Sequence, residues 1–207
     1  MIKFVYFDVG GVVELDFSGT NKWEELKKEI GVTPELRDEY DKLWSEIEKR
    51  LCVDLDADVF FEQIKKHFQL NTPSDYSFLQ NGFVNRFETN SSIWPVIQEI
   101  CQKCPVGLLT NMYVNMFPAI QKRGLLPPVV WRQIIDSSVV KLRKPDLEIY
   151  HLAQKRANVP DSEILFIDNQ PKNLDPARDL GWQTFLYDPA NSKNSNQKLL
   201  KLWKSLR

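Results

Sequence analysis

Five short apolar runs, most of them ending in a polar residue, constrain this chain more than any other feature. Ile2–Phe7 stops at Asp8 and the pair Gly10-Gly11. Val106–Leu109 stops at Thr110-Asn111, and Ile164–Ile167 stops at Asp168-Asn169. Gln133–Ile135 and Thr184–Tyr187 complete the set. Runs of this length, rich in Ile, Val, Leu and Phe and flanked by turn residues, read as strands buried on both faces. Helical patterns accompany the last four: "WPVIQEICQKC" with Pro95 in its first turn, "PDLEIYHLAQKRANV", and "NLDPARDLGW" closed by Gly181. Strands alternating with helices predict an α/β fold, a doubly wound parallel five-stranded sheet.

Residues 17–90 break that rhythm. They contain helical segments ("NKWEELKKEIG", "TPELRDEYDKLWSEIEKRL", "ADVFFEQIKKHF", "SDYSFLQNGFVNRF") punctuated by Gly31, Pro34 and Pro73, and no convincing strand. The expected organisation is therefore a core domain of residues 1–16 and 91–207, with a helical cap of residues 17–90 inserted after the first strand.

An open parallel sheet binds ligands beyond the carboxyl ends of its strands. The expected ends bring together Asp8, Thr110-Asn111 and Asp168-Asn169, and the segment after the third core strand adds Lys144. Two carboxylates in one cleft repel unless a cation separates them. Mg²⁺ takes one or two protein carboxylates and completes its shell with water and phosphate. A hydroxyl, free amides and an ammonium suit the remaining oxygens of a phosphate.

In these residues the chain resembles the haloacid dehalogenase (HAD) superfamily. "FDVGG", "LLTN", "RKPD" and "LFIDN" stand in the order of that family's four motifs, and the helical insert resembles its cap. The subgroup it looks most like holds small-capped phosphatases similar to glucose-1-phosphate phosphatase and the phosphatase lobe of epoxide hydrolases. The resemblance implies a HAD-like Rossmannoid core and a Mg²⁺-dependent hydrolase of a small soluble phosphate ester, such as a sugar phosphate, working through an aspartyl-phosphate. Asp8 would be nucleophile and metal ligand. The Gly10 carbonyl, Asp168 and Asn169 would complete the metal site. Thr110 and the amide of Asn111 would hold phosphate oxygens, and Lys144 would neutralise charge on the nucleophile and the transferring group.

Two positions depart from that pattern. Phosphatases of the superfamily usually carry a general acid two residues after the nucleophile, and Gly10 has no side chain there. Losing a general acid costs about 10² to 10⁴ in rate. Glu14, Asp16 or a cap residue would have to replace it, or the ester must have a good leaving group. Asn169 stands where relatives have a second acid, and Lys172 where another variant of the motif has one, so metal affinity is expected to be weak. The alternatives are a 2-haloacid dehalogenase using Asp8 without metal, and a catalytically impaired protein that binds a phosphate ligand or a partner protein.

Other features exclude more than they propose. Lys+Arg 27 against Asp+Glu 28 leaves no single-sign field for nucleic acid or an acidic membrane. No stretch approaches the roughly 20 apolar residues of a membrane span, and no secretory leader is visible. Three cysteines are an odd count that fits reduced thiols and a cytoplasmic protein. Cys101-x-x-Cys104 lies at the end of its helix, where the dipole opposes a thiolate, and is read as structural. Asp54, Asp56 and Asp58 lack the glycine and glutamate of a calcium loop and read as a helix cap. His67 and His151 read as helix residues without a catalytic role, and "KLLKLWKSLR" as a docked terminal helix. The cap aromatics Trp23, Trp44, Phe60 and Phe61 are expected mostly in a bundle core, with a few of them lining the cleft.

Overall fold

The computed structural model describes residues 1–207. All five expected strands form: β1 (Phe4–Phe7), β4 (Val106–Thr110), β5 (Gln133–Asp136), β6 (Ile164–Asp168) and β7 (Gln183–Leu186). They build one parallel sheet in the order β5-β4-β1-β6-β7. β1 lies at the centre. The chain fills one side with β4 and β5, then crosses to fill the other with β6 and β7. The change of direction flanks β1, so the loop after Phe7 opens at the topological switch point.

The period of two along β1 sorts its side chains between two cores. Phe4 and Tyr6 pack with Leu109, Ile135, Tyr150 and Trp182 on the face covered by α7 (Leu147–Ala157) and α8 (Pro171–Asp179). Val5 and Phe7 pack on the other face, with α4 (Trp94–Cys101), α5 (Met116–Lys122) and α9 (Ser192–Ser205). Leu199 and Trp203 dock α9 there, as the amphipathic tail required. The helix begins earlier than its apolar repeat. "NSKNSNQK" lies largely within it, because its inward face is polar: Ser195 and Asn196 are buried, and they bind the Asp188 amide (3.0 Å) and the Tyr187 hydroxyl (2.9 Å). Helix α5 and the short α6 (Ser137–Val140) also went unassigned in the sequence. No helix is long and apolar enough to cross a membrane.

The insert holds α1 (Lys22–Glu29), α2 (Arg37–Leu51) and α3 (Ala57–His67). Asp56 caps α3, its carboxylate accepting from the amides of Asp58 and Val59, so the aspartate run is a cap. The expected fourth helix is instead a wide π turn, Phe78–Phe83, followed by a 3₁₀ turn. Its start is held by Asp58, which accepts from the Leu79 amide (3.0 Å) and the Ser77 hydroxyl (2.9 Å). Residues 17–90 also contain a strand that the helical reading missed. β3 (Glu88–Thr89) pairs antiparallel with β2 (Glu14–Leu15), tying the two ends of the insert together. Asn90 fixes this junction by donating to the Val12 carbonyl (2.7 Å) and the Tyr187 hydroxyl (3.0 Å).

Gly107 is the residue of β4 that crosses β1 beside two aromatic rings. A Cβ there would lie 2.8 Å from Tyr6, 2.9 Å from the Gln133 carbonyl oxygen and 3.0 Å from Phe4. Overpacking of this kind costs about 1–3 kcal/mol. Gly107→Ala is expected to lower the urea unfolding free energy by about that amount, with an unchanged denaturant slope.

Candidate functional site

The sheet brings Asp8, Thr110, Lys144 and Asp168 to one edge. Asp8 follows the last residue of β1, Thr110 ends β4 and Asp168 ends β6. Lys144 lies in the loop between α6 and α7, and its ammonium reaches back to bridge the carboxylates. Nζ is 3.0 Å from Asp8 Oδ1 and 2.6 Å from Asp168 Oδ2. Lys144 is 1% exposed and Asp168 0%. Asn111 positions the lysine's backbone. Its Oδ1 accepts from the Lys144 amide (2.8 Å) and its Nδ2 donates to the Lys144 carbonyl (2.9 Å).

The Lys144 ammonium touches both carboxylates. Asp168 is fully engaged: Oδ2 meets Lys144 and Asn173 Nδ2 (3.1 Å), and Oδ1 accepts from the Gln170 amide (2.7 Å) and Asn173 (3.2 Å). It does not line the cavity beside Asp8. In this structure Asp168 is the partner and anchor of Lys144, and the metal role implied for it by the resemblance stays a proposal. Asn173, which the sequence reading passed over, is the residue that completes this anchor.

Asp8 Oδ1 also accepts from the Val9 amide (2.8 Å), leaving Oδ2 toward the cavity. Burial pushes the Asp8 carboxyl up, to about 7, against the pull of Lys144. Burial pulls the Lys144 ammonium down, but Asp168 and Asp8 together outweigh it and hold its pKa above the usual lysine value. The Thr110 hydroxyl is 0% exposed and makes no hydrogen bond of normal geometry. It lies close enough to Asp8 to favour the carboxylate. An orphaned hydroxyl is costly unless a ligand or water engages it.

The open oxygen donors lie around the glycine turn. Gly11, at φ +73°, has no side chain where Asn169 packs; a Cβ would come within 2.1 Å of Asn169 Nδ2. That nitrogen donates to Ser18 Oγ (2.9 Å), which leaves the amide oxygen free. Asp8, Gly10 and Asn169 all line the same cavity. One carboxylate, one carbonyl and one amide oxygen fit Mg²⁺ with a shell otherwise made of water and phosphate. No group of three His, Cys, Asp or Glu side chains gathers anywhere in the chain to hold a metal more firmly.

Gly10 leaves room for another residue. The position a Cβ would take at Gly10 is 2.8 Å from Asp16 Oδ2. Asp16 therefore puts a carboxyl where the side chain of residue 10 would otherwise be. Its other oxygen is steadied by the Ser18 amide (2.8 Å), and burial raises its pKa. Glu14 is buried beside it with Oε2 unpartnered. Burial, then repulsion from Asp16 and Asp8, pushes its pKa well above the usual carboxylate range. Of the expected replacements for a missing acid, Asp16 is the one in register with Gly10.

The cavity measures about 390 Å³ and lies between the strand ends and the insert. Its far wall is aromatic: Phe17, Trp23, Trp44, Phe83, Phe87 and Tyr113. Trp23 and Trp44 are the cap aromatics that line it, whereas Phe60 and Phe61 are in the core as expected. Arg143 and Lys172 add cationic groups, and Arg143 Nε is buried without a partner. Arg143 was legible only as the neighbour of Lys144 in "RKPD". His67 pairs with Glu39 on the surface (2.9 Å), and neither histidine reaches the cavity. Cys104 is buried, with its thiol pushed up to about 11, and all three cysteines are free.

Removing one partner of a buried ion pair strands the other, at about 3–5 kcal/mol. Lys144→Met is expected to destabilise by that amount in urea unfolding, and Lys144→Met combined with Asp168→Asn by clearly less than the sum of the singles.

No family model matches the chain, and no curated protein matches it in sequence. Its fold does have counterparts among solved structures. A HAD-family enzyme of Bacteroides thetaiotaomicron, solved with magnesium and inorganic phosphate, aligns with a TM-score of 0.70 and 20% identity, over 90% of this chain and 94% of its own. A HAD-like family hydrolase from Porphyromonas gingivalis aligns with 0.72 and 20%, over 97% and 98%. The L-2-haloacid dehalogenase of Xanthobacter autotrophicus, solved with chloropropionic acid covalently bound, aligns with 0.61 and 16%, over 90% and 78%. With its five-stranded parallel sheet, central β1 and helical insert, the chain has the fold of the haloacid dehalogenase superfamily hydrolases.

Proposed function

We propose that the chain is a phosphomonoester hydrolase of the HAD type, with residues 17–90 acting as its cap. The observation that carries this reading is the Asp16 carboxyl in the space left by Gly10, beside the nucleophile's loop. An alkoxide leaving group needs a proton and the attacking water must lose one; a departing halide needs no proton. The buried Thr110 hydroxyl beside Asp8 supports the same reading, because it favours the carboxylate form that a nucleophile needs.

The chemistry follows from the placement of these groups. Asp8 Oδ2 attacks phosphorus, the P–O ester bond breaks, and Asp16 donates a proton to the departing oxygen. Water then attacks the aspartyl-phosphate, Asp16 takes its proton, and inorganic phosphate leaves. Lys144 stays fixed between Asp8 and Asp168 and offsets the negative charge as it moves. Magnesium, held by Asp8, the Gly10 carbonyl and the Asn169 amide oxygen, would add positive charge against the phosphoryl oxygens. The neighbour solved with magnesium and phosphate supports that choice of ion. With neither strong acidic nor basic bias and a cavity of about 390 Å³, the ester is a small molecule.

The test is a panel of phosphate esters assayed with Mg²⁺ and with EDTA. Turnover is expected, abolished by Asp8→Asn and reduced about 10² to 10⁴ on alkyl esters by Asp16→Asn. Retained activity in Asp8→Asn would remove the proposed nucleophile. The low carboxylate count gives a second expectation. Asn169→Asp should tighten Mg²⁺ binding on the order of tenfold in titration calorimetry. Dehalogenation of a 2-haloacid is the competing reading, favoured by the engagement of Asp168 with Lys144. Halide release insensitive to EDTA, with no phosphate release, would establish it instead.

A further inference from the structure

Resting on the phosphatase reading, we infer that the ester's leaving group carries an aromatic ring, stacked between the insert and the nucleophile. Most polar groups of the cavity gather around Asp8, with Lys144, Asn111 and Asn169, while Glu48, one turn along α2 from Trp44, and Arg143 bring charge to its other walls. The opposite wall is a single aromatic cluster. Trp23 and Trp44 pack at 4.8 Å between ring centroids, and Trp44 stacks on Phe83 at 5.8 Å and 22°. Phe17 joins Phe83 at 5.4 Å, and Tyr113 meets Phe83 edge-on at 5.1 Å. Phe83 and Tyr113 are buried by these contacts, but Phe17, Trp23 and Trp44 stay half-exposed within the cavity.

Flat, partly uncovered rings favour a flat apolar guest, because covering them removes apolar area from water and adds ring–ring contact. A sugar can lay a C–H face on such rings, but its hydroxyls then need hydrogen-bond partners around the rim, of which an aromatic wall supplies few. The sugar phosphate expected from the resemblance therefore suits the wall poorly. The cavity also exceeds what a two- or three-carbon acid can fill, and about 300 Å³ is the lower range for sites that enclose drug-sized ligands.

Three esters separate recognition of the ring from reactivity of the leaving group: phenyl, benzyl and cyclohexyl phosphate. Phenyl and benzyl share the ring but differ in leaving group; benzyl and cyclohexyl are both alkyl esters. The KM values for phenyl and benzyl phosphate are expected to lie about 3- to 10-fold below that for cyclohexyl phosphate. Trp44→Leu should erase that difference by raising only the two aromatic KM values. Binding measured without turnover, by tryptophan fluorescence on the unmodified protein, should favour phenylphosphonate over methylphosphonate by at least about tenfold. Equal KM values for benzyl and cyclohexyl phosphate, or equal phosphonate affinities, would overturn the inference and leave the phosphatase reading standing. Hydrolysis of none of the three, together with no phosphonate binding, would remove both.

Discussion

The Lys144 ammonium lies between Asp8 and Asp168 with almost no water around it, and the strand edge is arranged about that fact. An isolated buried charge is costly, and a buried pair breaks even only with good geometry and further hydrogen bonds. Here one ammonium answers two carboxylates, so a net negative charge remains. Asn173 and the Gln170 amide spread it on the Asp168 side, and the Val9 amide on the Asp8 side. Asn111 clamps the lysine's backbone through a two-way hydrogen bond, so the side chain extends from a fixed point. The arrangement binds three separate chain segments to one another. It also leaves Asp8 at the cavity wall with the Thr110 hydroxyl beside its carboxyl.

That residual negative charge bears on the neighbouring acids. Asp8, Asp16 and Glu14 share one cavity; burial raises the pKa of each, and neighbouring carboxylates push Glu14 and Asp8 further up. Two of them are spaced along β2 and its continuation, so the small β2–β3 pairing decides how they face the nucleophile. The same pairing closes the insert at its base, and Asn90 ties it to the Val12 carbonyl. Insert and acid are therefore coupled in position.

Much of this was legible because strand ends are written plainly in a parallel sheet. An apolar run that terminates in Asp, Thr or Asp again marks both the element and the edge where its last side chain points, and Asp8, Thr110 and Asp168 needed nothing more. What such a pattern does not carry is the partner of each group. Asp168 reads as a metal ligand when only charges are counted; the short Asn173 and Gln170 contacts that occupy it arise from the first turn of α8. The β2–β3 pairing is two residues long on each side and has no alternation to detect. The π turn at Phe78–Phe83 resembles a helix in sequence because its apolar spacing is helical; its widening follows from Asp58, in a different helix. Trp23 and Trp44 are large apolar residues of two separate helices, and only the gap between insert and sheet makes them a cavity wall.

The glycine at position 10 shows how a missing side chain can be a structural statement. In sequence it reads as loss, because a proton donor is absent where relatives have one. In the fold the space is filled by Asp16, which arrives from the far side of a tight turn held by the Val9 carbonyl accepting from the amides of Val12, Val13 and Glu14. A side chain at residue 10 and the present place of Asp16 exclude each other within 2.8 Å. The function of that position and the identity of residue 10 are thus separable, and a substitution at one is interpretable only with the other. A carboxyl reaching in from residue 16 follows β2, at the junction where the loop after Asp8 meets the insert. On the proposed function, proton transfer would then depend on how the β2–β3 pairing holds Asp16, in a way that an acid at residue 10 itself would not.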